Sequence, residues 1–183
     1  MKNKKINKNN NFKYKVVELV LLGISLALSF FVFVFMKLES AKIIADVGIG
    51  ELTGSKTLYQ MIFEEDHFSI AALTSFILSI VVSVILLVVV IINIFTLRAK
   101  ESYQINKNNK VINKNSKKDI YKNLTILLET VCGICSLISG IVFLLIPSFI
   151  GSRWEISSGC VLCSVFSFII AGITLITGFK KLS

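Results

Sequence analysis

The chain has 183 residues, of which 54% are apolar and 17% are charged, and its 20 Lys and Arg residues outnumber its 11 Asp and Glu residues. A charged fraction so far below the ~25% of soluble domains indicates a chain that is largely embedded in lipid. Because the Lys residues flank apolar segments, membrane topology explains the net charge of +9 better than nucleic-acid binding does, and we expect no nucleic-acid partner.

The N-terminal part of the chain is basic and then strongly apolar. Residues 1–15 contain six Lys residues and no acid, and they predict a disordered basic arm. The apolar segment 16–36 follows, interrupted only by Glu18. A cleaved signal peptide would have a shorter apolar region of ~7–15 residues and a small-residue cleavage site, which is not evident after Met36. We therefore predict a first transmembrane helix at 16–36.

A polar loop and a long uncharged segment come next. Residues 37–68 carry six acids, and the stretch from Thr57 to Phe63 within them is apolar enough to form a short helix at the membrane interface. From Phe68 to Leu97 there are thirty residues without a charge. A helix of that length is roughly 45 Å long, more than the ~30 Å hydrocarbon core of a bilayer. It predicts a second transmembrane helix at 69–95.

The second half of the chain repeats this alternation. Residues 96–123 predict a second basic loop, and the apolar segments 124–149 and 159–179 predict the third and fourth transmembrane helices. Residues 150–158 are too few to form more than a short link between those two helices, and residues 180–183 form a C-terminal tail. The sequence thus predicts four spans.

Basic residues are distributed unevenly between alternate loops. The N-terminal arm, the middle loop and the C-terminal tail hold sixteen of the twenty Lys and Arg residues, whereas the 37–68 loop and the 150–158 link hold four, together with seven acids. The positive-inside rule therefore predicts cytoplasmic termini and external 37–68 and 150–158 segments. We expect an all-α, integral membrane four-helix bundle in the plasma membrane, whose cytoplasmic lysines contact anionic lipid headgroups.

Small residues recur at helical spacing in every predicted span. Helices in a membrane associate mainly through close packing of small residues and through polar contacts, so these stripes favour a compact bundle. The alternative is that small residues are simply common in such helices. The predicted packing seam comprises Ser75, Ser79 and Ser83 in the second span, Ser136 and Gly140 in the third, and Ser164, Ser167, Ala171 and Gly178 in the fourth, while the first span offers Gly23 and Ala27.

One acid, Glu129, lies well inside a predicted span. Buried carboxyl groups in lipid are costly, and they are candidates for function. Glu18 and Asn93 should lie near the same cytoplasmic side, so the three residues could form one polar cluster, with Glu129 bonded to Asn93 or to a hydroxyl such as that of Thr130. The alternative is that Glu129 reaches the inner headgroups near Lys122 or Lys118.

The four cysteines form two Cys-x-x-Cys pairs, Cys132 with Cys135 and Cys160 with Cys163. The topology separates the pairs by roughly 10 Å or more in depth, too far for four ligands of one zinc ion, and we expect no metal or cofactor. The second pair, at the outer end of a span, resembles quinone-linked disulfide-generating membrane proteins. That family also uses a cysteine pair in an external loop, which this chain lacks. Otherwise the cysteines are small packing residues.

The sequence offers little for an enzyme. It has a single His, in the 37–68 loop, and no Ser/His/Asp set. We therefore expect a non-enzymatic accessory or assembly subunit that acts through helix packing and lipid contact, in a homo-oligomer or beside a membrane protein partner. The alternatives are a small channel or transporter that uses Glu129 and Asn93, and a membrane thiol–disulfide redox protein that uses Cys160 and Cys163.

Overall fold

The computed structural model describes residues 2–46, 51–63, 69–105, 115–150 and 154–182. This part of the chain is mostly helical and also contains three short strands, which the sequence analysis did not predict. In chain order the elements are helix α1 (Lys2–Phe35), strands β1 (Glu39–Asp46) and β2 (Glu51–Thr57), helices α2 (Leu58–Phe63), α3 (Ile70–Ile105) and α4 (Asn115–Ile150), strand β3 (Trp154–Ile156) and helix α5 (Ser158–Leu182).

Four of these helices are long and apolar enough to cross a membrane. No more than 44% of the most apolar part of each is buried inside the protein, so large apolar side chains cover the outside of the helices. Such a surface is stable in lipid and not in water. The protein is therefore a small multi-pass membrane protein. Its candidate spans are Tyr14–Phe35, Ile70–Leu97, Ile120–Ile150 and Ser158–Lys181.

Three of the helices extend beyond the apolar segments. Helix α1 begins at Lys2, so the expectation of a disordered arm at 1–15 is not met. The arm contains neither Pro nor Gly, and Lys is a good helix former, so a helix that starts in the apolar segment can continue through it. Helices α3 and α4 likewise extend into the predicted 96–123 loop, of which residues 106–114 lie outside the described residues.

The four long helices pack side by side. Helix α4 contacts α3 and α5, and α1 contacts α3 and α5, which closes a ring of four. Helix α1 begins and helix α5 ends at the same end of this ring, which we call the termini end, because Glu18 of α1 is paired there with Lys181 of α5. The opposite end, called the cap end, carries β1, β2, β3 and α2, which together form the cap.

Two apolar clusters fill the space between the helices. One cluster, near the cap end, combines helix residues with cap residues, and the other lies between it and the termini end. The cap-end cluster consists of Val32, Met36, Ala41, Leu58, Met61, Ile62, Ala72, Phe143, Ile146, Cys160 and Cys163. The termini-end cluster consists of Leu22, Val82, Leu86, Val89, Cys132 and Ile170.

The three strands form one antiparallel sheet in the order β2-β1-β3. Strand β1 is central, so the sheet joins the segment between α1 and α3 to the short link between α4 and α5. Lys42 of β1 is paired with Ser55 on one side and with Glu155 on the other. Strand β3 has only three residues, too few for a recognisable alternating pattern. It forms a strand because its backbone pairs with the free edge of β1.

One residue, Ser40, connects the cap to the helices through hydrogen bonds. Its hydroxyl donates to Leu38 O at 2.9 Å and accepts from the backbone N–H of Leu58 at 3.2 Å, at the start of α2. Its carbonyl accepts from Ser157 N at 3.0 Å, at the start of α5. Gly159 packs so closely on Ser40 that a Cβ would lie 2.5 Å from the hydroxyl oxygen.

The short interfacial helix predicted from Thr57 to Phe63 corresponds to α2. Thr57 and Gln60 form a capping box, in which Gln60 Oε1 accepts from Thr57 N at 2.9 Å and Thr57 Oγ1 accepts from Gln60 N at 3.2 Å. These bonds satisfy N–H groups that a helix start would leave unpaired. The helix buries Leu58, Met61 and Ile62 and exposes Tyr59 and Phe63.

Candidate functional site

Three charged side chains from three helices meet near the termini end. Glu18 lies on α1, Glu129 on α4 and Lys181 on α5. Lys181 Nζ donates to Glu129 Oε1 at 2.5 Å and also forms an ion pair with Glu18 Oε1. We call these three residues the terminal ion cluster. It is the one place, among the described residues, where acids of two spans share a partner.

Burial makes this cluster energetically important. The side chain of Glu129 has no exposed surface, and the side chains of Lys181 and Glu18 are only 14% and 21% exposed. A charge removed from water is costly unless it is paired, and removing one partner of a buried pair is strongly destabilising. When all three groups are charged, two carboxylates share one ammonium. The cluster then has a net charge of −1.

The second oxygen of Glu129 has room but no partner. Glu129 Oε2 is buried and makes no hydrogen bond. Gly178 of α5 lies beside it, and a Cβ at this glycine would be 3.8 Å from Oε2 and 3.5 Å from Thr130 Oγ1. The absence of a side chain at Gly178 therefore leaves space next to the carboxylate. Chemically, an unpartnered carboxylate oxygen of this kind is able to hold a proton or to accept a hydrogen bond.

The other expected partners of Glu129 bond elsewhere. Asn93 Nδ2 donates to Val89 O of its own helix at 3.0 Å, and Thr130 Oγ1 donates to Ile126 O at 2.9 Å. The structure thus brings Glu18 and Glu129 together but gives Asn93 a different partner. Lys122, the alternative neighbour for the carboxylate, is exposed.

Lys181 was not predicted as a site residue, because a Lys at the end of a span is normally interpreted as a residue at the membrane–water interface. A usable signal was nevertheless present. Glu129 and Lys181 are each 26 positions from Glu155, which lies in the short link between the third and fourth spans. Two antiparallel helices joined by a short link bring residues at equal distances from that link to the same level.

Most of the predicted seam residues lie between the helices. Eight of the nine are buried, and Ser83 is half-buried. Close approach is clearest at Gly140 of α4, where a Cβ would lie 2.8 Å from Phe168 Cε1 of α5. The eight buried residues are Ser75, Ser79, Ser136, Gly140, Ser164, Ser167, Ala171 and Gly178.

Some of these serines surround a small cavity of about 10 Å³ between the two apolar clusters. Every long helix contributes at least one serine to its wall, and three apolar residues complete it. The lining residues are Ser29, Ser79, Ser136, Ser139, Ser167, Val32, Val82 and Ile170.

The four cysteines are free thiols, and most are inaccessible. Cys132, Cys160 and Cys163 are fully buried, and Cys135 is half-buried. Cys132 belongs to the termini-end cluster, whereas Cys160 and Cys163 belong to the cap-end cluster. No group of three His, Cys, Asp or Glu residues in the described ranges is arranged to hold a metal ion.

Comparisons of the chain with protein-family models, with curated proteins and with solved structures found no match.

Proposed function

We propose that this small integral membrane protein is a non-enzymatic accessory or assembly subunit of the plasma membrane, which acts through helix packing and lipid contact. The four helices form its membrane bundle, both termini are cytoplasmic, and the cap is external. Its partners are a second copy of the chain or another membrane protein.

The orientation rests on charge. Lys180 and Lys181 end α5 at the termini end, and the basic arm 1–15 precedes the first span at the same end. The 96–123 segment adds eight more basic residues. Basic segments next to spans favour the cytoplasmic side and attract anionic lipid headgroups, at ~1 kcal/mol for each well-placed lysine.

The observation that carries the proposal is the closed interior. Apolar clusters lie on both sides of the serine cavity, and the cavity has room for about one water molecule at most. The most buried carboxylate is held by Lys181, and three of the four thiols have no exposed surface. Within the described ranges, such an interior offers neither a passage nor a fully exposed reactive side chain. We therefore assign the function to the exterior of the helices and to the cap.

Among the described residues, the exterior of α1 carries a helix-packing motif that no other helix of the chain contacts. Gly23 and Ala27 lie four residues apart on α1, Ala27 is exposed, and a Cβ added at Gly23 would meet no atom within 4 Å. Small residues at this spacing let two membrane helices approach closely. Gly172 of α5 also has open space, but the residues four positions away, Phe168 and Ile176, are large.

Purification in mild detergent, with mass spectrometry and measurement of the complex mass, tests the proposal. We expect a discrete complex that Gly23→Leu disrupts and Gly172→Leu leaves intact, because both variants add bulk outside but only the first blocks the small-residue motif. A monomeric wild-type protein, or equal effects of the two variants, would contradict it.

A second candidate is a proton-linked transporter or channel. It is favoured by the unpartnered and fully buried Oε2 of Glu129, since a carboxylate in a span is a default functional candidate. Liposomes that contain the purified protein separate the two candidates. Flux that Glu129→Gln abolishes would support the transporter, whereas the accessory subunit should conduct nothing.

A further inference from the structure

The serine cavity lies near the middle of the third and fourth spans, and an apolar cluster lies on each side of it. Val32 in its wall belongs to the cap-end cluster, whereas Val82 and Ile170 belong to the termini-end cluster. Its polar lining comes from all four long helices. A ligand in this cavity would therefore contact every helix at once.

The hydroxyl protons of three lining serines are already used. Ser29 donates to Leu26 O at 2.7 Å, Ser79 to Ser75 O at 2.8 Å and Ser167 to Cys163 O at 2.8 Å. Such bonds satisfy the hydroxyl hydrogen within the helix but leave lone pairs on each oxygen. The wall therefore presents acceptors to whatever occupies the cavity.

The remaining two serines complete the hydrogen-bond pattern. Ser139 Oγ lies 3.5 Å from Ser79 Oγ, and Ser139 is the donor of this pair because the Ser79 proton is already used. Ser136 is different. Its hydroxyl has no hydrogen-bond partner, and the residue is only 1% exposed. Ser136 thus supplies an unused donor to a cavity in which the other four serines offer acceptor lone pairs.

We propose that one water molecule occupies this cavity, accepts a hydrogen bond from the Ser136 hydroxyl and donates to the free lone pairs of the neighbouring serines. The volume of about 10 Å³ is close to the minimum that a water molecule needs, and buried waters typically have two to four polar partners. Five of the eight residues that line the cavity are serines, and the unpaired Ser136 hydroxyl is one of their polar groups. A bare cation is disfavoured because the wall contains no carboxylate.

The water would link the four helices through one set of hydrogen bonds. Buried polar groups without partners are costly in a membrane because lipid offers no hydrogen bonds. The water satisfies the Ser136 hydroxyl, which is buried and has no partner among the described residues. It thereby favours the register in which Ser136 lies level with Ser29, Ser79 and Ser167.

The sign of a stability change tests the proposal. If Ser136 bonds to water, Ser136→Ala removes a hydrogen bond without changing the shape, and Tm in detergent should fall by roughly 2–4 °C. If the cavity is empty, the same change removes an unsatisfied hydroxyl, and Tm should stay level or rise. The matched control is Ser75→Ala, which removes a buried hydroxyl that bonds only to Ala71 O and does not line the cavity.

A fall in Tm for Ser136→Ala supports the water, and Ser75→Ala shows how large a fall follows the loss of one buried serine hydrogen bond. No change or a rise in Tm for Ser136→Ala would overturn the proposal. An experimental structure that resolves ordered water gives an independent result: a peak ~2.7–3.2 Å from Ser136 Oγ supports the proposal, and an empty cavity overturns it. A peak that strengthens when Na⁺ in the buffer is replaced by Rb⁺ would identify a cation and would also overturn it.

Discussion

Lys181 at the end of α5 and Glu129 inside α4 form an ion pair with 2.5 Å between Nζ and Oε1, although Glu129 has no exposed surface. Because Lys181 also pairs with Glu18, a single ammonium group holds α1, α4 and α5 together at the termini end. Glu129 is the most deeply buried member of the cluster, so the pairing of its charge matters most. The terminal ion cluster is therefore the natural first target for mutation.

Removal of the lysine should destabilise the protein strongly. Lys181→Met leaves two nearby carboxylates without their shared cation, and the loss of one partner of a buried pair costs about 3–5 kcal/mol. Adding Glu129→Gln to this variant should recover part of the loss, because it removes the uncompensated buried charge. The measurement is the unfolding midpoint in mild detergent or on titration with a denaturing detergent.

The control for that prediction is Lys180→Met. Lys180 is exposed and its ammonium lies 4.8 Å from the centre of the Tyr14 ring, an interaction of about 0.5–1 kcal/mol at an exposed site. If Lys181→Met were no more harmful than Lys180→Met, the terminal ion cluster would have no special role in stability.

Two glycines of α5 should respond to alanine in opposite ways. At Gly159 a Cβ would lie 2.9 Å from the carbonyl oxygens of Leu38 and Glu39, and because these are backbone atoms the cap must shift, at a cost of about 1–3 kcal/mol. At Gly172 the space is open, so alanine should stabilise the helix by roughly 0.5–1 kcal/mol. Unfolding midpoints of the two variants check this, and a harmless Gly159→Ala would show that the cap does not pack on α5 as described.

The pairing of β1 with β3 in the cap predicts which pair of introduced cysteines will form a disulfide. Lys42 of β1 is paired with Glu155 of β3, so side chains at these positions lie on the same face of the sheet. Lys42→Cys with Glu155→Cys should form a disulfide under mild oxidation. Lys42→Cys with Ile156→Cys should not, because neighbouring residues of a strand point to opposite faces. Mass spectrometry of the linked peptides identifies the bond, and equal yields for the two pairs would be inconsistent with this register.

The native thiols should be hidden until the protein unfolds. Because Cys132, Cys160 and Cys163 are fully buried, a maleimide reagent should modify them only after denaturation, while Cys135 should react slowly. Trapping of thiols in living cells, followed by gel-shift analysis, checks this prediction. Rapid modification of Cys160 and Cys163, or their recovery as a disulfide, would instead favour the redox alternative.

The parts of the fold that the sequence predicts well are those with a strong local signal. A long uncharged segment such as Phe68 to Leu97 can hydrogen-bond all of its own backbone groups in lipid only as a helix. The candidate spans could therefore be located from composition alone. The expected seam rests on the same kind of local spacing, and Ser79, Ser136 and Ser167 do lie between helices.

The parts that the sequence did not predict depend on contacts between distant segments. Strand β3 exists because β1 pairs with it, and its three residues carry no periodic signal of their own. Lys181 resembles an ordinary interface lysine until the α4–α5 pairing brings it level with Glu129. The cavity at Ser136 also depends on four helices meeting, which spacing within one helix does not reveal.

The proposed accessory subunit acts through its exterior surfaces and conducts no ions. Proton and K⁺ flux into liposomes that contain the purified protein tests this claim most directly. We predict flux equal to that of protein-free liposomes, for the wild-type protein and for Glu129→Gln alike, because apolar clusters lie on both sides of the serine cavity. Flux that rises with the amount of wild-type protein and disappears with Glu129→Gln would contradict the claim.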